Sequence, residues 1–352
     1  MTFRQAQICR QVQIYARAVA LAAVVAVLPQ AVAAQGVDQF FKGKTINLYI
    51  GFGPGGTYDY YGRLAARYLG RYLPGDPTVV AQSMPGSGGL RAANYLFSAA
   101  PKDGTAIGVI PQTAAIEDAL RNPGVQYKAA EYNWIGRMTA ILEVHFTWKT
   151  SKGKTIEDAR QHEVPLAGTG AGSPSEGYPK LLNAFAGTKF KIISGYPSST
   201  EGMIAMERGE VDGALTSWNT VKRTRQHWIK NRDINVLVQY GAERHPELKD
   251  IPTILEAART PEGRAAMAFY IGGAELGRSL AAPPGLPAER VKALRAAFDA
   301  MLKDRDFLAE IEKSGQEFYP ASGDQVQKLI AATANAPRSV VELTTEATLR
   351  TK

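Results

Sequence analysis

Cysteine is almost absent from the 352-residue sequence, which has Cys9 and no other. A single cysteine cannot form an intramolecular disulfide, and the chain beyond it has no thiol for nucleophilic chemistry. Cys9 also precedes the apolar run Ala18–Leu28, whereas a lipid-bearing cysteine would follow such a run. The pattern therefore favours a soluble exported chain over a lipoprotein.

Long apolar runs are missing as well. Ala18–Leu28 is shorter than the run of about 20 residues that a membrane-spanning helix needs. Three arginines precede it and the small residues Ala31–Ala34 follow it, which is the order of a secretory signal peptide. We predict a signal peptide over residues 1–34, cut near Ala34; a disordered or membrane-lying N-terminus is the alternative.

The charged residues form no block of one sign. Lys and Arg number 41 and Asp and Glu 33, for a formal net charge of +8. Residues 1–34 hold three arginines and no acid, so the remainder carries about +5. Without a basic block or an interleaved aromatic stripe, nucleic acid is not a predicted partner. A mildly positive surface suits small anions, although an ordinary mixed surface explains the charge equally well.

Catalytic and metal-binding motifs are scarce. The four histidines do not form an i, i+4 pair, and neither H-E-x-x-H nor G-x-S-x-G occurs. Asp59 and Asp212 are conceivable as a carboxylate pair, but the sequence does not set their distance. We therefore predict no enzymatic activity, no metal and no cofactor.

What the sequence does contain is a regular alternation of strand and helix patterns. The predicted strands are Thr45–Ile50, Thr78–Gln82, Thr105–Ile110, Val144–Trp148, Val164–Ala167, Phe190–Ser194, Val211–Leu215, Ile234–Tyr240 and Ser279–Ala282. Helical patterns follow most of them after short turns rich in Gly and Pro. This alternation indicates an α/β fold with mostly parallel sheets, and the lack of a long linker suggests lobes that exchange strands.

The first glycine-rich loop, residues 51–56, joins a predicted strand to a predicted helix that begins near Thr57. It matches G-x-G-x-x-G, with Asp76 twenty residues on, but Asp76 precedes the second strand instead of ending it. Dinucleotide binding is therefore disfavoured. A purely structural turn is possible, and capture of a small anion by the helix N-terminus is our preferred interpretation.

A second glycine-rich loop, residues 168–173, has the same position in the other half of the chain, with Ser173 as a predicted N-cap. Two further loops, residues 195–199 and 216–219, also follow strands and add hydroxyl groups, an amide and Trp218. Ligands of open α/β sheets bind at the carboxyl ends of strands. We expect two lobes that close on an anion, with Trp218 partly in the core.

The order of short motifs resembles a known family. The motifs are Pro54-Gly55-Gly56-Thr57-Tyr58-Asp59, Met84–Gly89, Ala100–Thr105, Gly168–Ser173, Gly195-Tyr196-Pro197, Gly209–Asp212, Asp250–Thr253 and Ala282–Pro287. Together they resemble the substrate-binding proteins of the tripartite tricarboxylate transporter system, the TctC or Bug family. The resemblance covers about residues 40–330.

This resemblance implies a periplasmic two-lobed binding protein of the Venus flytrap type, with residues 35–137 and 245–352 in one lobe and 138–244 in the other. It implies a monomer that binds a small organic carboxylate, largely through backbone amides and ordered water, and delivers it to membrane permease subunits. Carried over by position, the expected ligand-binding residues are Gly53, Gly55, Gly56, Thr57, Asp59, Thr169, Gly170, Gly172, Ser173, Tyr196 and Asp212. The loops themselves add Tyr58, Thr216 and Trp218 to this set.

Two departures from the family pattern bear on the ligand. Tyr58, Tyr60 and Tyr61 make the first helix start unusually aromatic, and residues 175–178 differ from the histidine and small residues common in the family. An aromatic or bulky acid is one conjecture that follows. A ligand-sensing subunit for a signalling partner and, less favoured, a periplasmic hydrolase are the alternative functions.

Overall fold

The computed structural model describes residues 37–350. The predicted signal peptide, residues 1–34, lies outside the described residues. Strands occupy β1 (Thr45–Ile50), β2 (Thr78–Ser83), β3 (Ala106–Ile110), β4 (Asn133–Arg137), β5 (Glu143–Trp148), β6 (Val164–Gly168), β7 (Phe190–Ser194), β8 (Gly213–Ser217), β9 (Ile234–Gln239), β10 (Ser279–Ala282) and β11 (Ala321–Ser322).

Helices surround these strands. They are α1 (Val37–Phe41), α2 (Thr57–Tyr68), α3 (Leu90–Ser98), α4 (Ala114–Ala119), α5 (Ile156–Gln161), α6 (Pro174–Ala186), α7 (Ser199–Glu207), α8 (Trp218–Thr224), α9 (Gln226–Lys230), α10 (Ile254–Ala257), α11 (Pro261–Ile271), α12 (Ala288–Met301), α13 (Arg305–Ser314), α14 (Gly323–Ala334) and α15 (Arg338–Thr345). The predicted two-lobed α/β fold is confirmed.

The strands form two sheets with the same internal plan. The first has the order β11-β4-β10-β3-β1-β2 and the second β7-β6-β8-β5-β9. In each, three neighbouring strands are parallel and the next strand, β10 or β5, is antiparallel to both of its neighbours. The sheets are therefore mixed, and the expectation of mostly parallel sheets describes only the three-strand part of each.

Burial explains why the parallel strands form. Leu48 and Ile50 of β1 are fully buried, as are Ile107 of β3 and Leu166 of β6. Helices cover the faces of these strands, so hydrophobic side chains are removed from water on both sides of the sheet. β4 is absent from the predicted strands because Asn133–Arg137 is short and ends in Gly136 and Arg137, which are poor strand formers in sequence.

The chain crosses between the sheets more often than the sequence suggests. It passes from β4 to β5 through residues 138–142, returns through Gly272–Arg278 to β10, and leaves the first sheet again after α14. α10, α11 and α15 pack against α6 or against each other, in a core shared with the second sheet. The assignment of all of residues 245–352 to the first lobe therefore needs correction for Ile254–Ile271 and Arg338–Arg350.

Two of the crossing segments lie side by side. The N–H of Arg278 donates to the carbonyl of Thr139 at 2.8 Å, and the N–H of Met138 donates to the carbonyl of Arg278 at 3.0 Å. Gly277, which directly precedes Arg278, has φ +51°, and a Cβ there would lie 1.9 Å from the carbonyl oxygen of Thr139. Only glycine fits this crossing. We refer to residues 138–142 and 276–278 together as the hinge pair.

Candidate functional site

The first glycine-rich loop is the predicted strand-to-helix turn, between β1 and α2. The Gly55 N–H donates to Oδ2 of Asp59 at 3.1 Å, and Arg63 Nε donates to Oδ1 of Asp59 at 2.7 Å. The Gly53 N–H donates across to the carbonyl of Pro197 at 2.9 Å. The hydrogen bonds of Asp59 therefore stabilise the loop within its own lobe, and the hydrogen bond of Gly53 connects the loop to the other lobe.

A small, partly open cavity of about 40 Å³ lies between the two lobes. Gly56, Thr57 and Tyr58 at the start of α2 line it. The first N–H groups of a helix have no partner inside the helix and carry the positive end of its dipole. This side of the cavity is therefore suited to a negative group.

The second lobe brings two more helix starts to the same cavity. Pro174 and Ser175 at the start of α6 line it, as do Ser198 and Ser199 at the start of α7. Ser198 is the N-cap of α7 and is fully buried. Three helix N-termini from two lobes therefore converge on one small volume, which is a favourable place for an anion.

A buried charged pair forms the wall of the cavity next to the hinge pair. Arg278 and Glu143 are 2 % and 4 % exposed, and Nη2 of Arg278 lies 3.5 Å from Oε1 of Glu143. Arg278 also donates to Oγ1 of Thr57, at 3.1 Å from Nε and 2.7 Å from Nη2, and to Oε1 of Gln112. Gln112 Nε2 donates to Oε2 of Glu143 at 2.9 Å, which closes the network.

Aromatic rings pack against this network. The guanidinium of Arg278 lies 3.8 Å from the ring centroid of Tyr58, and Phe52 stacks on Tyr58 with centroids 4.2 Å apart. The hydroxyl of Tyr58 accepts a hydrogen bond from the Gln112 N–H at 2.9 Å. Burial raises the pKa of the Tyr58 hydroxyl and of the Glu143 carboxyl, and the nearby Arg278 opposes both shifts.

The second glycine-rich loop is arranged differently from the first. The Thr169 N–H donates to Oγ of Ser175 and the Gly170 N–H to Oε1 of Glu176, each at 2.9 Å. The carbonyls of Thr169 and Gly172 accept from the Gly88 N–H and from Oγ1 of Thr113 in the first lobe. Thr169 lines the cavity, while Gly170 and Gly172 serve the contact between lobes.

The remaining predicted site residues separate into two groups. Thr216 lines the cavity, and Ser173 is the buried N-cap residue of α6. Trp218 packs in the core of the second lobe and donates from Nε1 to Glu247. Tyr196 packs against that core from the loop before α7.

Asp212 lies away from the cavity. It directly precedes β8, which is parallel to β6, and the cavity residues of these strands lie at their carboxyl ends. Its carboxylate accepts from Oγ of Ser151 at 2.7 Å, whereas Asp59 accepts from Gly55 and Arg63. The imagined pair of Asp59 and Asp212 is not formed, because the two groups hold loops at different ends of the fold.

Several cavity residues are absent from the expected ligand-binding set, although the loops of some of them are singled out in the sequence: Phe52, Glu143, Pro174, Ser175, Ser198, Ser199, Leu215 and Arg278. Arg278 and Glu143 are the most informative of these. Each stands at the start of a short apolar strand, where a charged residue usually marks the surface. The presence of Gly277 before Arg278 was a usable signal, since a glycine at a strand start often marks a close backbone approach.

The described residues offer neither a metal site nor a membrane anchor of the helical kind. Within residues 37–350, no three His, Cys, Asp or Glu side chains are grouped closely enough to hold a metal ion. Over the same range, no helix is both long and apolar enough to cross a bilayer.

The fold and the cleft define a two-lobed solute-binding protein. The sequence matches the family model described as "Tripartite tricarboxylate transporter family receptor" over residues 63–345. The chain belongs to this family, whose members are periplasmic solute receptors. The resemblance stated from the sequence motifs is thereby confirmed.

Individual relatives agree with this assignment. A curated Pseudomonas sp. (strain P51) protein, "UPF0065 protein in tcbD-tcbE intergenic region", is 26% identical over 289 residues, 80% of each chain. The periplasmic binding protein BugD has a TM-score of 0.68 at 21% identity, covering 86% of this chain and 97% of BugD. MatC from Rhodopseudomonas palustris, solved with bound malate, has a TM-score of 0.64 at 21% identity, covering 85% and 99%. At these identities the two structures establish the fold.

Proposed function

We propose that this protein is a receptor that binds a small organic carboxylate between its lobes and delivers it to the permease of a tripartite tricarboxylate-type transporter. The observation that carries the proposal is the cavity between the lobes that is bordered by three helix N-termini and the buried Arg278. Such a cavity favours a negative charge, because the positive ends of three helix dipoles converge on it. Malate, the ligand in the MatC structure, is a carboxylate of this kind.

Binding and closure would be one event. The contacts between lobes include Gly53 with Pro197 and Gly88 with Thr169, and a ligand in the cavity would lie behind them. Because the ligand touches both lobes, it stabilises the closed arrangement by its difference in affinity for the closed and open forms. No catalytic group is needed for this role, and the proposal does not include turnover.

The decisive test compares acids with their own amides. We expect isothermal titration calorimetry of the mature protein to detect glycolate, lactate or malate and to show no binding of glycolamide or lactamide, which have nearly the same shape without the charge. A ligand at about a hundred times its dissociation constant should also raise stability by about 2.7 kcal/mol. Equal binding of acid and amide, or a response to sugars alone, would refute the carboxylate proposal.

Delivery and export have separate tests. N-terminal sequencing of the protein recovered from the periplasm should begin near Gln35 if residues 1–34 are a cleaved signal peptide. Crosslinking in cells should recover permease subunits, and uptake of the bound acid should be lost when the receptor is deleted. Recovery of a sensor kinase in place of permease subunits would favour the signalling alternative.

A further inference from the structure

The two sheets have four outer edges, and three of them are protected against pairing with another strand. β11 is two residues long. β7 carries Lys191, and the N–H of its Phe190 donates to Oδ1 of Asn183. β9 has a register irregularity against β5, and the N–H of its Gln239 donates to the carbonyl of Pro252. Short strands, charged side chains, irregular pairing and covering segments are the usual means of protection. The fourth edge, β2, has none of them within the described part of the chain.

β2 presents an open edge to solvent. Its pairing with β1 is regular over all six residues, which include neither Pro nor a charged side chain. The N–H of Thr78 donates to the carbonyl of Lys44, and the N–H of Met84 to that of Ile50. Since successive N–H groups of a strand point to opposite sides, the intervening odd-numbered residues direct theirs away from β1. Within residues 37–350, no hydrogen bond is made by the N–H groups of Val79, Ala81 and Ser83.

Unpaired charges of opposite sign lie at the two ends of this edge. Asp76 precedes β2 and Arg91 follows it, and both are exposed. Neither forms an ion pair with any of residues 37–350. The Arg91 side chain lies along Gly86, where an added Cβ would be 3.2 Å from Cδ of Arg91, and its Nη1 donates to the carbonyl of Pro85 at 3.3 Å. A cationic group therefore lies beside the end of the edge and an anionic group beside its start.

From these observations we infer that the protein forms a symmetric dimer in which the β2 strands of two copies pair antiparallel, centred on Ala81. The outward N–H and carbonyl groups of the two strands then form about six hydrogen bonds. In this register Asp76 of each copy lies opposite Gly86 of the other, beside Arg91, so the two-fold axis produces the ion pair twice. The two six-stranded sheets join into one continuous sheet. This inference departs from the monomer that the family resemblance implies.

The surface beside β2 leaves room for a second strand. An open groove runs along the start of the strand, and Ala66 and Gly70 at the end of α2 line it together with Pro77. Val80, which is 39 % exposed, gains Gln82 of the second copy as a cross-strand neighbour. One strand pair and two exposed ion pairs make a small interface. We therefore expect a dissociation constant of about 10–100 µM.

The first test is sedimentation velocity on the mature protein without ligand, from about 2 to about 200 µM. We expect the sedimentation coefficient to rise from that of a monomer to that of a dimer. Ala81→Pro should weaken the dimer at least about a hundredfold, because it removes the central outward N–H and places a ring on the two-fold axis. The bonds to β1 stay intact, since the Ala81 N–H points away from β1. Ala81→Ser keeps the N–H and is the matched control.

The second test exchanges the two charges. Arg91→Glu places two carboxylates together at each end of the interface and should weaken the dimer about tenfold or more. Asp76→Lys combined with Arg91→Glu rebuilds the ion pair in reverse and should restore most of the lost affinity. Lys102→Glu is the control, because it makes the same change in net charge at an exposed residue of the same lobe, outside β2 and its flanking turns.

Each outcome supports or overturns the dimer. A protein that stays monomeric at about 200 µM overturns it and leaves the edge to a strand of another protein. A dimer that persists in A81P, or that R91E weakens no more than K102E does, is held by a different surface, which also overturns the inference. If A81P does not fold, the charge exchange decides: restored affinity in the double variant supports the Ala81-centred register, and its absence overturns that register. These measurements need no ligand and are independent of the carboxylate test.

Discussion

The two glycine-rich loops are similar in sequence, but their N–H groups have different partners in the structure. Both follow a parallel strand, begin a helix and border the cavity. In the first loop, Asp59 accepts from the Gly55 N–H, and the next two residues, Gly56 and Thr57, line the cavity at the start of α2. In the second, Ser175 and Glu176 take the N–H groups of Thr169 and Gly170. Similar spacing thus produced one turn that we propose binds an anion and one loop whose N–H groups are bonded within its own lobe.

The loops also do not face each other directly. The first contacts the segment that precedes α7, where Gly53 bonds to Pro197 and a Cβ on Gly55 would lie 3.2 Å from Oγ1 of Thr200. The second contacts the loop before α3, where Gly88 bonds to Thr169. Each glycine-rich loop is therefore paired with a different partner loop in the opposite lobe. The comparison predicts distinct effects for mutations in the two loops.

The largest effect is expected from Gly56→Leu. Gly56 has ordinary extended dihedral angles, so the substitution is compatible with the backbone, but the new side chain would enter the cavity. We expect carboxylate affinity to fall about a thousandfold, which calorimetry measures, with little change in the thermal midpoint. Gly272→Leu, at an exposed site with open space around it, is the control. Unimpaired binding by G56L would remove the first loop from the ligand site.

The next largest effect is expected from Gly88→Ala. A Cβ at Gly88 would lie 2.6 Å from the Ser173 nitrogen, so the variant should fold but resist closure. A smaller closed population should weaken the apparent affinity about a hundredfold. Gly209→Ala is matched in backbone conformation, with φ +76° against +64°, and has open space. If the two variants bind equally well, closure through the second loop is not required.

Glu176→Met should affect stability more than binding. The buried carboxylate accepts from the half-buried Gly170 N–H and from the exposed Ser194 hydroxyl, so the substitution removes a charge-assisted partner that holds the second loop. We expect a loss of about 2 kcal/mol in the free energy of unfolding, measured by urea denaturation, and a change in affinity of about threefold or less. A large loss of affinity with unchanged stability would assign the second loop to direct ligand binding.

The smallest expected effect is a pH dependence of the folding stability, and it comes from the carboxyl group of Glu317. Burial raises the pKa of Glu317 to about 7, against the opposing effects of Arg278 and Lys222, with Glu247 and Glu143 also nearby. Its ordinary pKa is 4.5. Because the folded state holds the proton more tightly, the stability from this group is complete below pH 4.5 and is lost as the pH rises through 7.

Glu317→Gln should remove that dependence. Between pH 5 and pH 8 the unmodified protein should lose about 1 kcal/mol relative to the variant, a value reduced because the side chain is partly exposed. Urea unfolding at both pH values gives the difference. Parallel pH profiles for the two proteins would show that Glu317 titrates as an ordinary surface carboxyl.

Much of the architecture could be predicted because it depends on local patterns. The alternating Ile46, Leu48 and Ile50 mark β1, and Ser173 with Pro174 marks the start of α6. The bounds of β7 and β10 match the predicted ones at both ends. A period of 2.0 residues predicts a strand, a period of 3.6 residues predicts a helix, and a capping residue marks where a helix begins. Each of these signals acts over a few neighbouring positions, so the sequence alone is sufficient.

The site could be predicted only in part, because its remaining members depend on how distant segments meet. Asp212 is expected at the ligand only from the family resemblance, whereas it directly precedes β8, at the opposite end of that strand from the cavity residues. Arg278 and Glu143 are 135 residues apart in sequence and meet through the hinge pair. No local sequence pattern predicts a charged pair that forms where two distant segments of the same chain cross.

Arg278 belongs to the hinge pair, and this position determines how far it moves when the lobes rotate. Its backbone N–H and carbonyl are both bonded to the neighbouring crossing segment, while its side chain forms a wall of the cavity. During a rotation of the lobes, atoms on the axis move least and atoms at the rim move most. The cationic end of the cavity should therefore stay nearly stationary as the cleft opens. A solute bound in the cavity as proposed would therefore lose its contacts at the rim before those at the wall that Arg278 forms.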